Sequence, residues 1–291
     1  MRQLMDLPEN SLLPFFAYGL FKPGELGFIR LRPYVTAIPK DAEVEGTILI
    51  RDGLPLLTAA PQHKSYGSVL EFEPAKAGRA YYRIVELEPD RLYCWDTITA
   101  HTFAGDSIRC NTLIGRDPKH GSVAADDEWS GKQDPLFVEG IEEVQRISKE
   151  VENAKASHLL LVRAQMAYLL LWTAIERYTA IRYHLGKDVS RKVHYLADEA
   201  SFKNALRRVI IGGPRRVSRA DKPKDYYTLN PENPKNSLDY YYQVRSNVTH
   251  RGKGAPGRDF NIIRHSLIEL TDIFSSVLDA AFKEAHFESA E

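Results

Sequence analysis

An arginine and a histidine stand five positions apart in the segment YYYQVRSNVTHRGKG, residues 240–254. RNA can be cut without a metal when its own 2′-hydroxyl attacks the adjacent phosphorus, if a base, an acid and positive charge assist. A histidine, whose ordinary pKa is near neutral, suits either proton-transfer role, and a guanidinium suits phosphate oxygens. The pair therefore predicts metal-independent RNA cleavage. His250 would act on the 2′-hydroxyl or the leaving oxygen, and Arg245 would hold and neutralise the phosphate.

The spacing of this pair sets a geometric condition. Five residues on an ideal helix turn through about 500°, which leaves the two side chains about 140° apart. They meet at one point only through the length of arginine, through distortion of the helix near Gly252, or across a symmetric dimer in which two copies share one cleft. We favour the dimer. Two alternatives stay open: a solvated Arg245 with His250 capping the helix, or a domain that binds RNA or protein without cutting.

The same segment resembles the motif of the HEPN superfamily (higher eukaryotes and prokaryotes nucleotide-binding domains). That motif is an arginine, four to six residues that begin with a polar one, and a histidine. Ser246 is the polar residue here, and the basic Arg251 and Lys253 follow the histidine. The resemblance implies that Arg245 and His250 are catalytic, and that Ser246, Arg251 and Lys253 contact the substrate.

An upstream string, LLLWTAIERY, resembles an earlier helix of the same superfamily and has Glu176 at the position of its recurrent acidic residue. The resemblance covers residues 140–291. It implies an all-helical domain that forms a homodimer with a ribonuclease site, in which Glu176 is a supporting residue.

A basic segment lies between the upstream helices and the motif. Its arginines, and the tyrosines that follow, are Arg207, Arg208, Arg215, Arg216, Arg219, Tyr226 and Tyr227. Such residues provide phosphate contacts and stacking surfaces, with Arg215 and Arg216 as candidates for RNA binding, although a solvated loop is equally compatible. Residues 1–139 hold 15 Lys and Arg against 20 Asp and Glu, whereas residues 140–291 hold 24 against 19. A polyanion such as RNA should therefore prefer the second half.

The first half contains a different motif, FFAYGLFKPGEL at residues 15–26. It resembles the anion-binding loop of the gamma-glutamylcyclotransferase-like fold, a small β-barrel, over residues 12–118. The resemblance implies that Tyr18, Gly19 and Leu20 bind substrate and that Glu88 is the general acid/base. Such an enzyme folds a γ-glutamyl amine back onto its own side-chain carbonyl.

This half departs from the cyclotransferase pattern at three positions. Leu20 stands where Ser or Thr is usual, Val85 replaces an acidic residue, and Pro89 replaces a glycine. The alternative is a barrel that acts as a scaffold or ligand sensor, with Glu88 an exposed carboxylate at a strand end.

The hydrophobic patterns predict an α+β protein of two domains. Short β-like runs, among them residues 13–18, 44–50, 68–72, 83–87 and 92–99, indicate a sheet-rich domain over residues 1–120. A polar linker is predicted at 121–136. A four- or five-helix domain is predicted at 137–291, with helices near 137–150, 156–185, 190–211, 236–250 and 259–285.

The remaining features narrow the class of protein. The two cysteines are too few for a disulfide framework, the histidines form no metal-binding spacing, and no phosphate-binding loop is present, so neither metal nor cofactor is predicted. The longest apolar run, residues 167–174, is short for a membrane span, and no export signal is recognised. We expect a cytoplasmic endoribonuclease, a toxin or defence effector whose first domain binds a regulatory protein or small ligand. The alternatives are a gamma-glutamyl amine cyclotransferase with a dimerising helical domain, and a non-catalytic RNA-binding or interaction module.

Overall fold

The computed structural model of the protein describes residues 5–51, 54–60, 62–88, 90–116, 123–124, 127–131, 134–183, 189–251 and 257–287. The chain divides into two compact units. The barrel unit contains the described residues up to Asp134 and those from Ala281 onward, and the helical unit is Pro135–Ala280. Strands dominate the first and helices the second, which confirms the predicted α+β class.

Eight strands are described in the barrel unit. They are β1 (Phe15–Ala17), β2 (Lys40–Glu45), β3 (Thr47–Arg51), β4 (Leu54–Thr58), β5 (Lys64–Leu70), β6 (Tyr93–Thr102), β7 (Ser107–Gly115) and β8 (Val123–Ala124). Five of them close into a barrel in the order β1, β5, β2, β6, β7 and back to β1. The closing pair is parallel, with Phe15 opposite Asn111, while β4, β3 and β8 extend the sheet from β7. Closure leaves the barrel without a free edge there, and the buried faces of its strands form the apolar core.

Helix α1 (Ala77–Leu87) corrects one strand prediction, because the run over residues 83–87 is its last part. Ala77, Ala80, Tyr81 and Ile84 are buried at the three- and four-residue spacing of a helix. Five residues taken alone could not separate this spacing from a strand. The helix ends at Glu88, which has an extended backbone.

The polar linker predicted at 121–136 is also different in the structure, since its described residues up to 134 belong to the barrel unit. Trp129 is 7% exposed, and the Lys22 ammonium donates to its carbonyl at 2.9 Å. The Glu25 carboxylate accepts the backbone N–H of Gly131 at 2.9 Å. Polar composition suggested a connector, but a buried tryptophan and ion-assisted hydrogen bonds fix these residues in place.

The C-terminal end is a second difference in the boundaries. Residues predicted to close the helical domain belong to the barrel unit from Ala281 onward. The Ala285 carbonyl accepts the Gly24 N–H at 2.8 Å, and the Phe287 ring meets Phe28 edge-on with centroids 6.4 Å apart. These contacts join residues that are far apart in the sequence, so a local sequence pattern cannot indicate them.

The helical unit is built from six helices among its described residues. They are α2 (Glu139–Glu152), α3 (His158–Tyr183), α4 (Val189–Leu196), α5 (Ala200–Val209), α6 (Pro234–Arg251) and α7 (Arg258–Ala285), the last continuing into the barrel unit. The predicted helices near 137–150, 156–185 and 259–285 agree with α2, α3 and α7. An antiparallel hairpin of β9 (Arg215–Ser218) and β10 (Tyr226–Leu229) lies between α5 and α6, so this unit is not entirely helical.

The single helix predicted over 190–211 is two helices, because Glu199 interrupts it. Glu199 has an extended backbone with ψ of 137°, and its carboxylate accepts the hydroxyls of Tyr178, Tyr183 and Ser201. These hydrogen bonds stabilise the break between α4 and α5. The apolar periodicity continues across it, which is why the sequence pattern predicted one helix.

Helix α6 begins earlier than the cap predicted at Asn236 or Ser237. Asn233 supplies the cap instead, since its side-chain oxygen accepts the backbone N–H of Asn236 at 3.1 Å, and Pro234 is the first helical residue. Ser237 is fully buried and its hydroxyl donates to the Asn230 carbonyl at 2.6 Å. The helix is continuous to Arg251.

Helix α3 is long and apolar enough, by length and composition alone, to cross a membrane. The 8-residue run noted in the sequence therefore understated its apolar length. The buried share of its most apolar stretch is 44%, and Tyr168, Trp172 and Tyr178 of this helix are in the core. These features fit the central helix of a soluble bundle.

Candidate functional site

Arg245 is held at a partly open position on α6. One of its guanidinium nitrogens is 3.3 Å from a carboxylate oxygen of Glu176 on α3, and the two side chains are 26% and 29% exposed. The guanidinium carbon also lies 5.7 Å from the centroid of the Tyr242 ring. Arg245 is therefore fixed by a carboxylate and an aromatic face and is not buried in the core, which leaves it accessible to an anionic substrate.

The backbone of His250 lies on the same uninterrupted helix as Arg245. Five residues along a regular helix correspond to a rise of about 7.5 Å and a turn that leaves the side chains about 140° apart. The side chains of His250 and Arg251, and the whole of Lys253, lie outside the described residues. The helix is uninterrupted from Arg245 to Arg251, and Gly252, near which the sequence left a distortion open, lies outside the described residues.

Asn247 connects the motif helix to the basic hairpin, a role that the sequence reasoning missed. Its amide nitrogen donates to the Ser218 carbonyl at 3.0 Å, and its amide oxygen accepts the backbone N–H of Ala220 at 3.1 Å. Only 4% of Asn247 is exposed. A signal existed: Asn247 continues the buried row of Tyr240 and Val244, where an amide in place of an apolar residue indicates a buried hydrogen-bonding partner.

The basic hairpin has a structural arginine and an outward one. The Arg215 guanidinium donates to both carboxylate oxygens of Glu269 at 2.5 Å, and Tyr241 donates to the same carboxylate. Arg216 is exposed, and its guanidinium carbon lies 4.5 Å from the centre of the Tyr226 ring. The charge of Arg215 is thus matched within the fold, whereas Arg216 and the exposed Tyr226 present a cation and a ring at the surface.

Ser246, the polar residue beside Arg245, is half-buried. The structure brings Arg245 and Glu176 together and joins the hairpin of Arg216 to the same helix through Asn247. It does not bring Arg215 to this surface as a free cation.

An apolar stripe runs along α3 and is exposed in the single chain. Leu159, Val162 and Met166 are 69%, 49% and 64% exposed, and Leu169 extends the stripe. Their spacing of three and four residues is that of helices which pack along a seam. The spacing continues through Thr173 to Glu176, the partner of Arg245. Large exposed apolar side chains in a row are typical of surfaces that bind another protein.

The candidate cyclotransferase residues also converge, in the barrel unit. Tyr18, Gly19 and Leu20 line one cavity with Glu88, which is 7% exposed, although about 70 residues separate them in the sequence. The Tyr18 hydroxyl donates to the Leu113 carbonyl at 2.7 Å, and burial raises its pKa well above the ordinary value. The expectation of an exposed Glu88 at a strand end is wrong, because this residue follows α1 and is buried.

This cavity is small. Its volume is about 20 Å³, room for about one water molecule and far less than a γ-glutamyl amine needs. Pro55 of β4 lies so close to Gly19 that a Cβ there would be 2.6 Å from its ring, and the Leu20 side chain packs on Gly27. Val85 is buried in the core and supplies no acid. Pro89, the third departure from the family pattern, lies outside the described residues.

Comparison with protein-family models, curated proteins and solved structures gave no match for this chain. The resemblances to the two families therefore stay predictions from the sequence motifs.

Proposed function

We propose that this protein is a metal-independent endoribonuclease of the cytoplasm, a toxin or defence effector that works as a homodimer. Arg245 binds and neutralises the scissile phosphate, and His250 moves a proton at the 2′-hydroxyl or the leaving 5′-oxygen. The products are a 2′,3′-cyclic phosphate and a 5′-hydroxyl, since the attacking oxygen belongs to the RNA itself.

The observation that carries this proposal is the position of Asn247 between Arg245 and His250. Its two hydrogen bonds to Ser218 and Ala220 place the basic hairpin next to the motif helix. The hairpin and its turn contribute the exposed Arg216, Lys222, Lys224 and Tyr226. On a regular helix Asn247 is about 60° from His250 and about 160° from Arg245, so the hairpin lies on the side of α6 nearer the histidine. Positive side chains and an aromatic ring there suit a phosphate backbone and an unstacked base.

The separation of Arg245 and His250 around the helix favours a dimer. A second copy can supply the missing group, because a two-fold interface brings identical surfaces together. The apolar stripe on α3 offers such a surface, and its heptad spacing ends at Glu176, which holds Arg245. Covering this stripe removes large apolar side chains from water.

Labelled single-stranded RNA incubated with the purified protein in EDTA tests the proposal. We expect endonucleolytic products with 2′,3′-cyclic phosphate ends. Cleavage that requires a divalent metal, or products with 3′-hydroxyl ends, would contradict the mechanism. RNA binding that weakens with salt but yields no products would favour the non-catalytic binding module.

The second candidate function is gamma-glutamyl amine cyclotransfer in the barrel unit. The convergence of Tyr18, Gly19, Leu20 and Glu88 on one cavity supports it, whereas the cavity volume and the position of Pro55 count against it. Release of 5-oxoproline from a γ-glutamyl amine, lost in Glu88→Gln, would establish this activity. We expect no release, because the cavity does not admit the substrate.

A further inference from the structure

A polar cleft of about 390 Å³ lies on the barrel unit and has no role in either candidate function. It shares no lining residue with the cavity of Glu88. On β2, Asp41 alternates with the buried Ala42 and Val44, so the cleft faces away from the barrel interior. Its volume is within the range of small-molecule sites.

The charges that line this cleft favour a cation. Lys22, whose side chain is 10% exposed, is paired with the Glu128 carboxylate and donates to the Trp129 carbonyl, so its positive charge is already matched. Asp41 adds a second carboxylate, one oxygen of which accepts the Ser68 hydroxyl at 3.1 Å. Two carboxylates against one ammonium leave the lining with a formal charge of minus one. The net negative charge of the lining would repel an added anion.

Two aromatic rings complete the cleft. The rings of Tyr66 and Phe103 have centroids 6.0 Å apart and are inclined by 56°. Phe103 is 66% exposed and lies in a tight turn in which Gly105 has φ of 96°. Its N–H also donates to the carbonyl of Asp41 on β2 at 3.2 Å, which holds the residue in place. A phenylalanine fixed in this way, with most of its surface in water, contributes little to the core. Its face can instead attract a cation.

We propose that this cleft binds a small organic cation, an ammonium or guanidinium group on a short alkyl chain. The carboxylate of Asp41 pairs with the cationic head, and the faces of Tyr66 and Phe103 surround it. The alkyl chain lies along the rings. This site belongs to the barrel unit alone and is independent of RNA cleavage by the helical unit.

Calorimetric titration of the full chain with agmatine and spermidine, at constant ionic strength, tests this proposal, with glutarate as the anionic probe. We expect saturable one-site binding of at least one cation and no heat with glutarate. Absence of saturation with both cations up to about 10 mM, which covers the affinities of weak ligand sites, would overturn the proposal. Binding of glutarate in place of the cations would overturn it equally.

Variants locate the binding in the cleft. Phe103→Leu keeps an apolar side chain but removes the ring, and we expect about two- to fivefold weaker binding, with affinity retained in Phe103→Tyr. Asp41→Asn removes the charge while its amide oxygen still accepts the Ser68 hydroxyl, and we expect a loss of about fivefold or more. Asp96→Asn, on the exposed part of β6 outside the cleft, is the matched control and should bind as the natural chain does. Equal affinities in all four variants would contradict the assignment.

Discussion

At the residue scale, the ion pair of Arg245 and Glu176 positions the Arg245 guanidinium and contributes little to stability. Both side chains are partly exposed, and such pairs contribute less than about 1 kcal/mol to folding. The two residues are 69 positions apart, and the sequence related them only through a resemblance. Their contact in the structure is what the predicted supporting role of Glu176 requires. The charge partner of Arg215, in contrast, could not be predicted, because Glu269 lies 54 positions away on α7.

Glu176→Ala should reduce RNA cleavage by about tenfold and leave stability nearly unchanged. The guanidinium of Arg245 loses the carboxylate that orients it, and misplacement of a phosphate-binding group slows a positioned reaction. Cleavage rates and thermal unfolding of the variant measure the two effects. Glu232→Ala, which removes the exposed partner of Arg207, is the matched control.

Glu176→Gln separates orientation from charge. Its amide oxygen can still accept from Arg245, so we expect part of the lost rate to return. Cleavage at the natural rate in Glu176→Ala would show that Arg245 does not depend on this contact.

At the element scale, the sequence predicted where the helices lie better than where they begin. Periodic apolar residues indicated α2, α3 and α7, because burial of one face is a local pattern. The cap of α6 at Asn233 and the break at Glu199 depend on hydrogen bonds, some of them from other helices, and periodicity does not contain them. The sequence indicated the β9–β10 region only as a basic segment between helices, without predicting a hairpin.

Asn247→Ala should lower the free energy of unfolding by about 1–3 kcal/mol. The substitution leaves the Ser218 carbonyl and the Ala220 N–H without their buried partner. Denaturant unfolding measures the loss. Asn261→Ala, at an exposed position of α7, provides the comparison and should change stability little.

The same variant should also weaken RNA binding, since the basic hairpin loses two of its hydrogen bonds to α6. Unchanged stability and unchanged RNA affinity would together contradict the role assigned to Asn247.

Met166→Glu should convert the dimer to a monomer and abolish cleavage. A carboxylate in the middle of the α3 stripe would be buried against the second copy, which is costly without a partner. Light scattering after gel filtration measures the mass. Ile211→Glu alters a side chain that is 92% exposed outside the stripe, and this control should stay dimeric.

A natural chain that is monomeric at the concentrations where it cuts RNA would contradict the dimer. So would a Met166→Glu variant that stays dimeric.

At the scale of the whole molecule, the change from strand to helix patterns predicted the two kinds of architecture. The composition of residues 121–136 suggested a linker, but Trp129 and the Glu25 contacts attach the described part to the barrel unit. The C-terminal residues join that unit as well. Both corrections come from contacts between distant parts of the chain, which local sequence patterns cannot supply.

Buried tyrosines in both units predict alkaline unfolding. Burial raises the pKa of Tyr18, Tyr93, Tyr168 and Tyr178 above the ordinary value near 10. The neutral phenols stabilise the fold fully below about pH 10, and this contribution is lost as the pH rises above that value. The part of the tyrosinate absorbance that comes from these four buried phenols should therefore appear together with the loss of circular dichroism. Full ionisation of these tyrosines near pH 10 in a chain that stays folded would contradict their burial.

The most direct test of the central claim is RNA cleavage in EDTA by the natural chain, His250→Ala and His265→Ala. His265 is an exposed histidine of α7 outside the motif, so its variant controls for the loss of a histidine as such. We expect the natural chain and His265→Ala to release products with 2′,3′-cyclic phosphate ends at similar rates. We expect His250→Ala to lose at least about 100-fold in rate. Equal cleavage by His250→Ala and the natural chain would contradict the assignment of His250 to the reaction.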